Sequence, residues 1–331
     1  MVTLADVARA ANVSAVTASR ALRTPAVVAE ATLARVQEAA RSLGYVPNPA
    51  ARALARARSN TLAVIIPSVT NQVFADLLRG VYDTVEDTGL QVQLANTRYR
   101  PSREEVLLRL FAAQRPAGVI VAGIDQTPVA RDLLAGLDCP VVQVMELCAD
   151  PVDMAIGCDQ RAAARAAVDH LIAQGYRRIG FLGARMDPRA QRRMAGWRDS
   201  LEAAGIFDPE LALTTPQPSS VAIGAQMLAE FLAIRPDAEA VFCNNDDVAL
   251  GALFEGQRRG LRVPAQFGIM GFNDLEVSAV ANPSISSVQT HRYEMGRRAV
   301  QMLCAANAGQ RPSAPVVDTG FTLVARGSTA R

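Results

Sequence analysis

Apolar residues recur three and four positions apart at the start of the chain. Leu4, Val7, Ala8 and Ala11 make one stripe and predict a first helix. Thr3 stands at its N-cap position with Asp6 three residues on, a capping-box pattern. Asn12-Val13 breaks the pattern, and Ser14 can cap a second helix with Ala18, Ala21 and Leu22 on its inner face. A third helix is predicted from about Glu30 to Leu43, with Leu33, Val36, Ala40 and Leu43 on one face and Gly44 as its stop. Residues 1–45 thus read as an all-α helix-turn-helix headpiece. Residues 46–60 follow as a hinge. Pro47 and Pro49 make its start extended, and ARALARAR favours helix but is too short and too charged to be stable alone. The hinge helix is expected to form only when something holds it.

From Leu62 the period changes. Short β-type runs at 62–67, 91–95, 118–123 and 140–145 alternate with helical patterns from Gln72 to Asp87 and Arg103 to Gln114. A second series sets helices across 161–174, 189–204, 221–233 and up to Arg259 among runs at 178–183, 240–244 and 267–272. The run 284–288, a helix from Tyr293 to Ala306, and short strands near Val316 and Phe321 are expected to cross back and complete the lobes. Such alternation means parallel sheets with helices on both faces, and the strand number calls for two lobes over residues 61–331. A ligand belongs in the cleft between such lobes.

Charge sharpens this division. Residues 1–58 carry eight arginines against Asp6, Glu30 and Glu38, a net charge of +5 in a chain of +2 overall. A basic head on a mildly acidic body suits a polyanion partner at one end. The chain has no lysine, so every cationic contact is a guanidinium with bidentate geometry available. The outward face of the second helix is Ala15, Val16, Thr17, Ser19 and Arg20: no bulk, a few donors, and an arginine suited to guanine in a major groove. The five cysteines are scattered without metal-ligand spacing and are expected to be reduced and mostly buried. No apolar run is long enough for a membrane span and no signal-peptide core opens the chain, so a cytoplasmic location without membrane contact is expected. No dinucleotide, phosphate-loop or zinc-protease motif is present, and neither His170 nor His291 has a nucleophile beside it, so an enzyme needing a cofactor or metal is not indicated.

The segments TLADVARAANVSAVTASRAL and RVQEAARSLGYVPNPAARALA, followed by a bilobal sugar-binding-type body, resemble the lactose-repressor (LacI) family of transcription regulators over essentially the whole chain. The body segments PSVTNQVFADLLRG (67–80), DPVDMAIGCD (150–159), LGARMDPR (182–189) and the stretch 242–264 resemble its gluconate-repressor branch. The fold this implies is a helix-turn-helix headpiece plus hinge helix, then a two-lobed α/β periplasmic-binding-protein-like domain. The implied function is a homodimeric repressor on a palindromic double-stranded DNA operator, released by a gluconate-like sugar acid. For DNA, the resemblance points to Thr3, Ser14, Ala15, Val16, Thr17, Ser19, Arg20, Asn48 and Leu54, with Arg20 reading a base and Leu54 wedging into the minor groove. For the effector it points to Ser68, Asn71, Phe74, Glu146, Asp159, Arg185, Arg189, Arg193, Asn245, Asp246, Asn273 and Arg292. Another branch has Asp where Asn273 stands, and a neutral amide there removes a charge that would repel an anionic ligand. Ala29 departs from the family's usual Ser cap on the third helix, a loss of about 0.5–2 kcal/mol. Ala18 replaces a larger apolar residue. Trp197, inside an amphipathic helix, is expected to pack in a core. Two rivals share parts of this pattern: a solute-binding protein of transport, which needs no headpiece, and a sugar-metabolising enzyme with an appended headpiece.

Overall fold

A computed structural model describes residues 2–23, 25–45 and 59–331. The expected hinge helix, Asn48 and Leu54 lie outside the described residues. The chain divides into two compact units, residues 1–59 and 60–331.

The first unit holds α1 (Leu4–Ala10), α2 (Ala15–Arg23) and α3 (Glu30–Ser42). Thr3 and Asp6 form the capping box, each side chain bonded to the other's backbone. Ser14 Oγ accepts from the Thr17 amide at 3.1 Å and starts α2. Val7, Ala8, Ala18, Ala21, Val36 and Ala39 close a small core. Leu43 departs from expectation: it lies past the last helical residue and is 37% exposed, while Ala39 takes the buried position. Ala29 gives α3 no side-chain cap; only its carbonyl serves the first turn, accepting from the Thr32 and Leu33 amides.

The second unit begins with β1 (Thr61–Ile66), then α4 (Ala75–Val85), β2 (Gln91–Asn96), α5 (Pro101–Gln114), β3 (Gly118–Ala122), α6 (Pro128–Ala135), β4 (Val141–Glu146) and β5 (Met154–Cys158). It continues with α7 (Gln160–Ala173), β6 (Ile179–Ala184), α8 (Pro188–Ala203), β7 (Ala212–Thr215), α9 (Val221–Ile234), β8 (Ala240–Cys243), α10 (Asp246–Arg258) and β9 (Gly268–Met270). The last elements are α11 (Glu276–Val280), β10 (Ser287–Gln289), α12 (Arg292–Asn307), β11 (Val316–Asp318) and β12 (Thr322–Val324). One parallel sheet has the order β11-β5-β4-β3-β1-β2 and the other β7-β6-β8-β9. Along β1 the side chains alternate: Leu62, Val64 and Ile66 face a cluster with α4 and α12, and Ala63 and Ile65 one with α5 and α6. Burial on both faces is why the run reads as continuously apolar. In the second lobe, α7 packs on α8 and α9 on α10 around Phe181, Trp197, Phe231 and Phe242. Trp197 is 1% exposed and donates its Nε1–H to the Ile179 carbonyl at 3.1 Å.

Returning strands complete the first lobe only in part as expected. β11 joins its sheet beside β5, but β12 pairs antiparallel with β10 in a two-stranded ribbon. Helix α6 and strands β5 and β7 are elements that the periodicity does not predict. All five cysteines are free thiols, three buried and two half-buried. Among the described residues no helix is long and apolar enough to cross a membrane.

Helix α12 docks on α4 through two glycines. A Cβ on Gly80 would overlap the Tyr293 carbonyl, and one on Gly296 the Leu77 carbonyl. Gly296→Ala is therefore expected to destabilise the second unit by about 1–3 kcal/mol, read as a lower denaturation midpoint. An unchanged midpoint would mean that the helices part at no cost.

Candidate ligand cleft and nucleic-acid interface

On α2, burial separates two faces. Ala18 and Ala21 are fully buried, while Ala15, Val16 and Arg20 are exposed and Thr17 and Ser19 half-buried. Val16 is 66% exposed, apolar surface of the kind that fits a thymine methyl. The Thr3 and Ser14 hydroxyls have structural duties first: Thr3 Oγ1 donates to Asp6 at 2.7 Å, and Ser14 Oγ lies 2.8 Å from Thr17 Oγ1. Arg9 and Arg41 pair with Asp6 and Glu38. Arg20 makes no ion pair among the described residues, so its guanidinium is available.

The cleft of the second unit has two chambers. The inner one, about 40 Å³, is lined by Asn71, Val73, Tyr99 and Met145 of the first lobe and by Asn273 of the crossover. The second lobe adds Ala184, Arg185, Asp187, Arg189, Ala190, Arg193, Ser219, Asn244 and Asn245. The outer chamber, about 370 Å³, shares Tyr99, Arg185, Asp187 and Arg189 and adds Glu104, Asp125 and Glu146 among others. Tyr99, Met145, Arg185 and Asn273 have φ of 56°, 87°, 66° and 109°. Left-handed backbone at non-glycine residues costs of order 1–3 kcal/mol each and persists where surrounding structure enforces it, as at binding sites.

Three guanidinium groups converge on the inner chamber against one carboxylate, Asp187. Arg193, 7% exposed, donates from Nε to Gln160 Oε1 at 2.9 Å and from Nη1 to the Asn244 carbonyl at 2.6 Å. Its face rests on the Phe272 ring, 3.8 Å from the centroid. Its Nη2 has only a marginal contact, 3.5 Å to Asn273 Oδ1, and so keeps donor capacity toward the chamber. Burial, helped by the neighbouring Arg189, brings the Arg193 pKa down to about 10, which leaves it charged at neutral pH. Arg185 stacks on Tyr99 across the lobes at 4.1 Å. Arg189 lies over Phe74, 3.9 Å from Glu146 and 3.8 Å from Asp187, close for charge but too far for a hydrogen bond. The amides are held by their own contacts. Asn71 bonds the Val73 amide and Tyr99 Oη, Asn244 bonds both backbone groups of Ala184, and Asn245 caps α10 and meets Ser219. The chamber thus carries a net positive lining of guanidinium groups among neutral amides.

Of the twelve residues expected in the cleft, Asn71, Arg185, Arg189, Arg193, Asn245 and Asn273 line the inner chamber, and Glu146 the outer. The other five are placed differently. Asp246 is fully buried away from both chambers, because its carboxylate accepts from Ser287 Oγ and the Leu275 amide, each at 2.7 Å. Asp159 is exposed and caps α7 through the Arg161 and Ala162 amides. Ser68 orders a turn by accepting from the Thr70 and Asn71 amides. Phe74 is covered by Arg189 rather than open to the chamber. Arg292 is committed behind Asn273: Nη1 bonds the Asn273 carbonyl and Nη2 bonds Asp76 at 2.9 Å. Tyr99, Asn244, Ser219, Asp187 and Arg192 were missed. Only the doubled Asn244-Asn245 and Arg192-Arg193 pairs left a trace in the sequence. Among the described residues no group of His, Cys, Asp and Glu is placed to hold a metal ion.

Residues 3–48 match the bacterial regulatory proteins of the lacI family, and residues 168–329 match a periplasmic binding protein-like domain. The HTH-type transcriptional regulator GntR of Pseudomonas aeruginosa is 43% identical over 327 residues, 99% of this chain and 95% of that protein. The chain belongs to the LacI family. Its second unit is thus the sensor-type domain of a DNA-binding transcriptional regulator, and relatives across its full length are named as regulators rather than enzymes. A LacI-family regulator from Silicibacter pomeroyi is similar over 100% of both chains, at 35% identity and a TM-score of 0.92. The lac repressor dimer bound to operator and the anti-inducer ONPF is 26% identical, with a TM-score of 0.88 over 100% of this chain and 99% of that one. A LacI-type headpiece and a two-lobed α/β body are therefore the fold of this protein.

Proposed function

We propose that this LacI-family regulator is a cytoplasmic homodimer that represses from a palindromic operator and is released by a six-carbon sugar acid, gluconate or a close relative. The observation that carries the ligand class is the inner chamber, where Arg185, Arg189 and Arg193 meet one carboxylate among neutral amides. Arg193, with Nη2 uncommitted, would hold the carboxylate by charge-assisted bonds, and the amides the hydroxyls. The GntR relative and the gluconate-repressor-like segments support the same acid. Only a ligand with different affinity for two lobe arrangements can change DNA binding. Calorimetry with gluconate, gluconate 6-phosphate and glucose tests the reading, together with operator binding in their presence. Gluconate is expected to bind and to release DNA, and glucose binding equally tightly would remove the carboxylate argument.

For the DNA, the headpiece would place α2 in the major groove with Ala15, Val16, Thr17, Ser19 and Arg20 toward the bases, and Thr3 and Ser14 near phosphates. A two-fold dimer sets two such helices on two half-sites. Apolar side chains left exposed support the dimer. β2 is an edge strand; its Leu94 and, on α5, Val106 and Leu110 are exposed on the first lobe, the last two more than half. Phe254 and Val280 are exposed on the second lobe. Sheet edges and apolar patches of this kind are normally covered. Leu110→Glu is expected to give monomers by light scattering and to weaken operator binding by roughly 10²–10⁴-fold, because the two headpieces then bind independently. A dimer at micromolar concentration would place the interface elsewhere.

A further inference from the structure

Glu146 ends β4 and is 2% exposed, yet only one of its carboxylate oxygens is hydrogen-bonded. Oε2 accepts from Arg192 Nη1 at 2.5 Å. Oε1 has no donor, and Arg189 Nε stands 3.9 Å away, beyond hydrogen-bond reach. A buried carboxylate oxygen left unpaired is costly and rare, so each one asks for a partner. Glu146 lines the outer chamber, so the missing donor belongs to whatever fills it.

Arg192 accounts for how this carboxylate is held. Its guanidinium also takes Asp125 with two parallel bonds, Nη1 to Oδ2 at 2.9 Å and Nη2 to Oδ1 at 2.5 Å. Asp125 and Glu146 come from the loop after β3 and the end of β4 in the first lobe, and Arg192 from α8 in the second. One side chain therefore ties the lobes together at the outer chamber. We infer that Arg192 is a positioning residue for the ligand: it closes the lobes on Asp125 and holds Glu146 so that one oxygen accepts from a ligand hydroxyl. This rests on the cleft being the ligand site. It orients the ligand, with the acid at Arg193 and the hydroxylated chain running past Arg185 and Arg189 to Glu146.

The groups facing Glu146 are Arg189, Arg192 and Arg193 from α8 and Asp125 from the loop after β3. Burial pushes its carboxyl above the usual range, opposed by the three guanidinium groups. Without Arg192, only Arg189 and Arg193 oppose burial, and Glu146 takes up its proton at higher pH. An acid whose folded pKa lies above its unfolded one gains stability as pH falls through the folded value. The melting deficit of Arg192→Ala against wild type should therefore shrink as pH falls.

The full-length protein is compared with Arg192→Ala and Arg192→Lys. Without ligand, amide exchange at 123–127 and 184–190 should rise together in Arg192→Ala, while core strands stay unchanged. With gluconate, Arg192→Ala should bind roughly tenfold more weakly at pH 8, as loss of one charged hydrogen bond entails, and recover toward pH 6. Glu104 in the same outer chamber, its carboxyl pushed up to about 7 by burial and by Glu105, titrates in both proteins, so Arg192→Ala should show the steeper profile, and Arg192→Lys should restore the wild-type profile but only part of the affinity. Unchanged exchange together with an unchanged melting deficit across pH would overturn the role of Arg192. If the wild type fails to bind gluconate, the ligand assignment falls, while exchange and melting still decide Arg192.

Discussion

Replacing Arg20 with alanine is expected to abolish preference for the operator while leaving weak binding to bulk DNA. Arg20 is exposed on α2 and makes no ion pair among the described residues, so its removal disturbs no core contact. The buried face of α2, Ala18 and Ala21, is untouched, so the headpiece should stay folded. An arginine bidentate to guanine is worth about 1–3 kcal/mol of discrimination, and a dimer loses it at both half-sites. Salt titration separates base reading from phosphate contact. A base contact leaves the slope of affinity against salt nearly unchanged, whereas a phosphate contact lowers it by about one for each copy. Anisotropy on operator and scrambled duplexes gives both quantities. Full retention of preference would mean that another element reads the sequence.

Arg193→Ala should have the largest effect on the effector. A hydrogen bond to a charged group contributes about 1.5–3 kcal/mol, so losing the Nη2 contact to the carboxylate should weaken gluconate by roughly 10–10²-fold. The substitution also strips partners from Gln160 and the Asn244 carbonyl, so the variant is measured where circular dichroism shows it folded. Arg193→Lys keeps the charge without the fork and should bind between the two. Arg292→Ala should behave differently. That side chain is spent on Asp76 and the Asn273 carbonyl, so its loss should lower the melting midpoint more than the affinity. The reverse pattern, with affinity lost in Arg292→Ala and kept in Arg193→Ala, would mean that the acid sits behind Asn273.

The headpiece was legible because its determinants are local. Caps at Thr3 and Ser14 and the buried spacing of Val7, Ala8, Ala18 and Ala21 act within one or two helical turns. The alternation of strands and helices was legible for a related reason, since strands buried on both faces must be continuously apolar, as β1 is. Charge asymmetry and the absence of lysine were also plain in the residues alone. What the sequence could not separate was the use of polar residues drawn from distant positions. Asp246 and Asn245 are neighbours of similar chemistry, yet one is sealed under Ser287 and Leu275 while the other faces the chamber. Arg292 and Arg193 look equally suited to an acid, and only the approach of Asp76 and Asn273 decides that both Nη groups of the first are taken, with its buried Nε left unpaired. The doubled Arg192-Arg193 pair did not say what Arg192 binds, because its partners lie 67 and 46 residues away in the other lobe. Periodicity and capping determine which elements form, whereas the availability of a buried charge depends on which distant partner reaches it first, and that is decided only when the lobes pack.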